Sequence, residues 1–118
     1  MKNHSICHIE WQSSNLSKTR SFLFSLFGWK FKPYGMEYLM FTPPDGVGGG
    51  IMKVKKVMAG ASPVVYVLVN KIEPYLAKAR KLGGKVAVPK TEIPKMGWFA
   101  YLKDRDGNLY GLFQNQSG

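Results

Sequence analysis

The chain has 118 residues and a net charge of +10, from 17 Lys and Arg against 7 Asp and Glu, a length that fits one domain burying somewhat over ~60% of its unfolded surface. The basic residues run from Lys2 to Lys103 without forming a tract, and no motif that reads bases accompanies them. A solvated basic surface favouring anionic ligands or acidic partners is therefore expected, and a nucleic-acid binder is not.

In chain order, Ile6–Gln12 reads as a first strand, with His8 and Glu10 on one face because side chains alternate. Cys7 lies in this run as a buried, inert thiol, and with one cysteine no intrachain disulfide is available. His4 precedes the strand in a terminus expected to fray. Ser14 or Asn15 is placed to cap a helix whose stripe is Leu16, Thr19, Leu23, Leu26 and Phe27, with Gly28 closing it. Trp29–Tyr34 and Glu37–Thr42 read as strands, and Pro43-Pro44-Asp45-Gly46 as a turn. Gly48-Gly49-Gly50 opens the run Ile51–Val57, either as a bent strand start or as a place of close backbone approach.

Ala59–Pro63 is a small-residue linker, and Val64–Val69 a buried strand. Asn70-x-x-Glu73 resembles a capping box, followed by a buried stripe of Ile72, Tyr75, Leu76, Ala79 and Leu82. Gly83-Gly84 ends this helix. Lys85–Val88 is a strand, Pro89 and Pro94 bracket a solvated loop carrying Lys90 and Lys95, and Trp98–Lys103 with Asn108–Gln114 forms a hairpin through Asp106-Gly107. The order strand, helix, strand, strand, strand thus occurs twice. The closing glycines, Gly83 and Gly28, are offset by 83 − 28 = 55 residues. Two such halves are expected to share one core. No signal-type segment is visible, and the longest apolar stretch, near Phe22–Trp29, is too short to span a bilayer, so a cytoplasmic protein is expected.

Several strings carry a resemblance. They are His8-Ile9-Glu10 before a helix ending Leu26-Phe27-Gly28-Trp29, Leu82-Gly83-Gly84-Lys85-Val86, and Val88-Pro89-Lys90-Thr91-Glu92-Ile93-Pro94. Gly97-Trp98-Phe99-Ala100-Tyr101 and Asp106-Gly107-Asn108-Leu109-Tyr110-Gly111-Leu112-Phe113-Gln114 complete them. Together they resemble the vicinal oxygen chelate superfamily, which holds glyoxalases, bleomycin-resistance proteins and extradiol dioxygenases. Within it they are similar to a branch of predicted enzymes related to lactoylglutathione lyase. The resemblance implies an α+β fold of two tandem β-α-β-β-β modules, about residues 4–58 and 62–115 of a single domain, forming a curved mixed sheet with a central cleft. It also implies a homodimer.

Metal-using members hold a divalent ion on two first-strand and two last-strand positions, and the ion polarises substrate oxygens as a Lewis acid. By resemblance these positions fall on His8, Met52, Pro63 or Val64, and Gly111. Only His8 is a fitting ligand, and a homodimer would repeat the shortfall. No cofactor is therefore expected, a divalent metal being the disfavoured alternative. His8 is then either a hydrogen-bonded strand histidine or an acid/base working with Glu10. Trp11, Tyr66, Trp98 and Tyr110 are the candidates to line an aromatic cleft. Three readings follow: a small-molecule-binding protein without the metal centre; a lyase or isomerase acting through His8 and Glu10 or an atypical metal; and a non-catalytic accessory protein contacting a partner through a sheet edge.

Overall fold

A computed structural model describes residues 1–116. The chain divides into two compact units, His8–Val64 and, as the second, Met1–Cys7 with the residues from Val65 on. The first half carries β1 (Ile6–Ser13), α1 (Leu16–Phe27), β2 (Lys30–Pro33), β3 (Tyr38–Thr42) and β4 (Gly49–Lys53). The second carries β5 (Val64–Leu68), α2 (Glu73–Lys81), β6 (Lys85–Ile93), β7 (Gly97–Lys103) and β8 (Leu109–Asn115). The strand order is β2-β3-β4-β1 in one and β6-β7-β8-β5 in the other. In each, the first and last strands pair in parallel and the rest are antiparallel. The fold is α+β, and the β-α-β-β-β module occurs twice.

Each unit has its own core. Leu39, Phe41 and Ile51 are buried in the first, with Ile9, Trp11, Leu16, Leu23, Trp29 and Phe31 packed against them. Val69, Ile72, Leu76, Ala100 and Leu112 form the second cluster. Leu16 and Leu23 of α1 pack against the first cluster, and Leu76 and Tyr75 of α2 belong to or pack against the second. Strand alternation then leaves the opposite face of each sheet for other side chains.

Local chemistry explains the helix ends. The Asn15 side chain accepts from the Lys18 N–H at 3.0 Å. Gly28 adopts φ +68° and donates its N–H to the Phe24 carbonyl at 2.8 Å, a left-handed cap that favours glycine. The capping box expected at α2 does not form, because Ile72 stands at the cap position without a side-chain acceptor. Gln114 of β8 takes that role instead: its buried Oε1 accepts the Ile72 N–H at 2.9 Å, while Glu73 turns to Lys90 at 2.8 Å.

Other boundaries shift for similar reasons. β4 starts at Gly49 rather than Ile51 and ends at Lys53, since the glycines are themselves ladder residues. β6 runs through Pro89 to Ile93, accommodating it with register shifts on either side of Val88. Leu26, Phe27 and Leu82 are exposed rather than buried. His4 is not frayed: its N–H bonds the Leu68 carbonyl at 2.6 Å and its Nε2 lies 2.6 Å from the Tyr75 hydroxyl. β2 bears Lys30, Lys32 and Pro33, and β6 bears Lys85, Pro89 and Lys90, residues that discourage strand addition at a sheet edge. Among the described residues no helix is long and apolar enough to cross a membrane.

Ile51 is fully buried, so Ile51→Ala should destabilise the protein by about 2–5 kcal/mol. Urea unfolding measures this. A loss under ~1 kcal/mol would mean that the first core is not closed as described.

Candidate functional site

The sheet face opposite α1 carries His8 and Glu10. Glu10 stands opposite Gly50 in the parallel β1/β4 ladder, and Tyr38 stands opposite Met52 in the antiparallel β3/β4 ladder. The Tyr38 side chain crosses diagonally over Gly50, where an added Cβ would clash with its Oη, Cζ and Cε2. That crossing carries the phenol to β1. Tyr38 Oη donates to Glu10 Oε1 at 2.8 Å and lies 2.8 Å from His8 Nε2. The His8 and Tyr38 rings are stacked, 15° apart in plane.

Proton bookkeeping orders this chain. The Tyr38 hydroxyl has one proton, and it goes to Glu10. His8 must therefore donate its Nε2–H to the Tyr38 oxygen, which selects the Nε2–H tautomer. Burial lowers the His8 pKa below 6.5, so the imidazole is held neutral near pH 7. Glu10 is buried, at 8% exposure. Sequence reasoning brought His8 and Glu10 together correctly but missed Tyr38, which joins them. Its signal was the glycine run, since a strand glycine marks a place where something approaches closely.

The second half has a parallel arrangement on the face opposite α2. Tyr66 is buried and its ring lies over Gly111, where an added Cβ would meet ring atoms from 2.6 Å. Its hydroxyl is 2.7 Å from that of Tyr101, which packs against Phe99 at 5.3 Å between centroids. Cys7 Sγ–H donates to the Tyr66 carbonyl at 3.7 Å, and burial raises the thiol pKa, which makes it a poor nucleophile.

The other aromatic candidates lie elsewhere. Trp11 points to the α1 side of β1, against Phe41 and Trp29, away from His8 and Glu10. Strand alternation alone separates neighbours in this way. Trp98 packs on the α2 side under Lys90 Nζ, 4.7 Å from its ring centroid. Tyr110 is exposed and donates to Asp104 Oδ2 at 2.8 Å, a bond that raises its pKa. It lines an open groove with Leu82, Leu102 and Arg105. Tyr66 and Tyr101 share one face; Trp98 and Tyr110 share the other.

The donor set does not fit the metal ion that the resemblance implies. His8 Nε2 is engaged by Tyr38, Met52 offers a thioether, Val64 is buried and apolar, and the Tyr66 ring occupies the space at Gly111. Among the described residues no three His, Cys, Asp or Glu side chains gather closely enough to hold a metal.

No family model matches the chain, and no curated protein matches it. Solved structures do. A glyoxalase/bleomycin resistance protein/dioxygenase superfamily member from Vibrio splendidus 12B01 aligns at 18% identity over 92% of this chain and 97% of its own, with a TM-score of 0.68. Methylmalonyl-CoA epimerase from Streptomyces coelicolor, in complex with 2-nitronate-propionyl-CoA, aligns at 14% identity over 98% and 99%, with a TM-score of 0.70. The 2,3-dioxygenase LapB from Pseudomonas sp. KL28 aligns at 12% identity over 94% of this chain but 42% of its own, with a TM-score of 0.65. The chain has the fold of the glyoxalase/bleomycin resistance/dioxygenase superfamily, which is the vicinal oxygen chelate fold.

Two measurements check the site. Folded His8 binds its proton less readily than unfolded His8, so the unfolded state gains protons first as pH falls below about 6.5. Stability should drop through that window, and His8→Gln should flatten the drop; equal pH dependence in both proteins would contradict the burial of His8. Gly50→Ala should displace the Tyr38 ring and destabilise the protein by at least about 1 kcal/mol in urea unfolding, and an unchanged midpoint would contradict the crossing.

Proposed function

We propose that this protein binds a small molecule on the sheet faces that carry its tyrosines, without the metal centre used by enzymes of the same fold. The observation that carries this reading is Tyr66 over Gly111. Where the resemblance implies a metal-binding carboxylate, the chain has a glycine, and an aromatic ring fills the vacated space. A surface of Tyr66, Tyr101 and Phe99, with paired hydroxyls at 2.7 Å, supplies apolar contact area and a few fixed polar groups. The net charge of +10 favours an anionic ligand. The epimerase of the same fold is seen with 2-nitronate-propionyl-CoA, so acyl-CoA compounds belong in the first screen.

A second reading rests on the hydrogen-bonded chain His8–Tyr38–Glu10. It makes the protein a lyase or isomerase related to lactoylglutathione lyase. A neutral His8 takes a proton from substrate on one ring nitrogen as its Nε2 proton passes to Tyr38 and the Tyr38 proton to Glu10. The carboxylate ends protonated, and the reverse sequence returns a proton to the substrate. The reading keeps two further expectations: pairing of two copies, measured by light scattering, and a cytoplasmic location, where a lone Cys7 stays reduced.

Tryptophan fluorescence and thermal shift with acyl-CoA compounds and aromatic acids test the binding reading. Saturable binding that Tyr66→Ala weakens at least about tenfold, with no turnover, is the expected result. Absence of any saturable ligand across both classes would contradict it. If turnover is found, Tyr38→Phe decides the second reading: it breaks the proton path and should lower kcat by about 100-fold with little change in KM. An unchanged kcat would remove the relay.

A further inference from the structure

α1 has no buried residue, although it is rich in large apolar side chains. Phe22, Phe24, Leu26 and Phe27 are 64%, 59%, 57% and 58% exposed. Successive helix residues turn by about 100°, so Phe22 and Phe24 fall on either side of Leu23, which faces the core. Two apolar flanks result. Lys18, Phe22 and Leu26 follow one another at four-residue spacing along one flank, and Arg20, Phe24 and Phe27 run along the other. Each flank therefore starts with a base and continues with apolar side chains. Ser17, Ser21 and Ser25 form the crest between them.

The charge around this helix is one-sided. No Asp or Glu occurs from Trp11 to Met36, and the first turn of α1 carries no acid to balance the positive end of its dipole. Neither Lys18 nor Arg20 has an acidic partner among the described residues. We infer that α1, with a base and exposed apolar residues on each flank, docks an acidic amphipathic helix of a partner protein. The partner lays apolar residues against Phe22 or Phe24 and acids beside Lys18, Arg20 and the helix N-terminus. A second copy meeting this face with its own α1 would bring no acid to the contact and would add like charge. A flat lipid surface would meet the serine crest before the two phenylalanine flanks.

The test uses a fluorescein-labelled designed peptide, helical and amphipathic, with leucines at i, i+3, i+4 and i+7 and glutamates elsewhere. Fluorescence anisotropy should show saturable binding to the full chain. A scrambled peptide of the same composition should bind at least about tenfold more weakly. The paired changes F22S/F24S and, separately, K18E/R20E should each weaken binding by a similar factor, with circular dichroism confirming an unchanged fold. Should a double variant unfold, the single changes Phe22→Ser and Lys18→Glu replace it, since both side chains are exposed. Equal binding of the scrambled peptide, absence of binding, or indifference to these variants overturns the inference. So does association with phosphatidylserine vesicles, or self-association in sedimentation, that the same variants abolish while peptide binding is missing.

Discussion

The parallel pairing of β1 with β4 is the constraint on which the first half depends. In that register Ile9 stands beside Gly49 and Glu10 beside Gly50. A side chain at Gly49 would collide with the Ile9 backbone, and one at Gly50 would occupy the place of the Tyr38 ring. Two adjacent glycines therefore let β1 lie close and let a residue from β3 reach across β4. Without that crossing, the buried Glu10 would lose the phenol that donates to its Oε1, and a lost hydrogen bond to a buried polar group is costly. The α1 face of the same strands is closed by Leu39, Phe41 and Ile51, which holds the register from the other side.

The second half repeats the device with different chemistry. Tyr66 lies over Gly111 within the parallel β5/β8 pair, and its hydroxyl meets Tyr101 rather than a carboxylate. In both halves a strand glycine makes room for a tyrosine ring, and in both the ring delivers a hydroxyl to a fixed partner. Hydrogen bonds between protein groups organise these faces, Tyr38 with His8 and Glu10 in one and Tyr66 with Tyr101 in the other.

Much of the fold was legible in the residues. The repeated order of elements, the Asn15 and Gly28 caps and the Asp106-Gly107 hairpin all follow from local chemistry, which a single sequence displays. The departures come from tertiary partners far along the chain. Gln114 replaces a local cap at Ile72 because β8 brings a buried amide there. Pro89 stays within β6 because an edge strand with shifted register tolerates a missing N–H. At the site, His8 and Glu10 were visible from their spacing in β1. Tyr38 was not, because its contact depends on the register of two ladders at once. Nor was it legible that Trp98 and Tyr110 lie on the α2 side while Tyr66 lies on the other, because aromatic content does not reveal which sheet face lies under the helix.

The measurement that bears most directly on a site organised by tyrosines is elemental analysis of untagged protein after brief dialysis, followed by calorimetric titration with Ni²⁺, Mn²⁺, Zn²⁺ and Fe²⁺. The account predicts metal far below one ion per chain and no saturable heat with any of the four. One tightly held ion per chain, lost in His8→Ala, would contradict it and show that the donors rearrange around a metal.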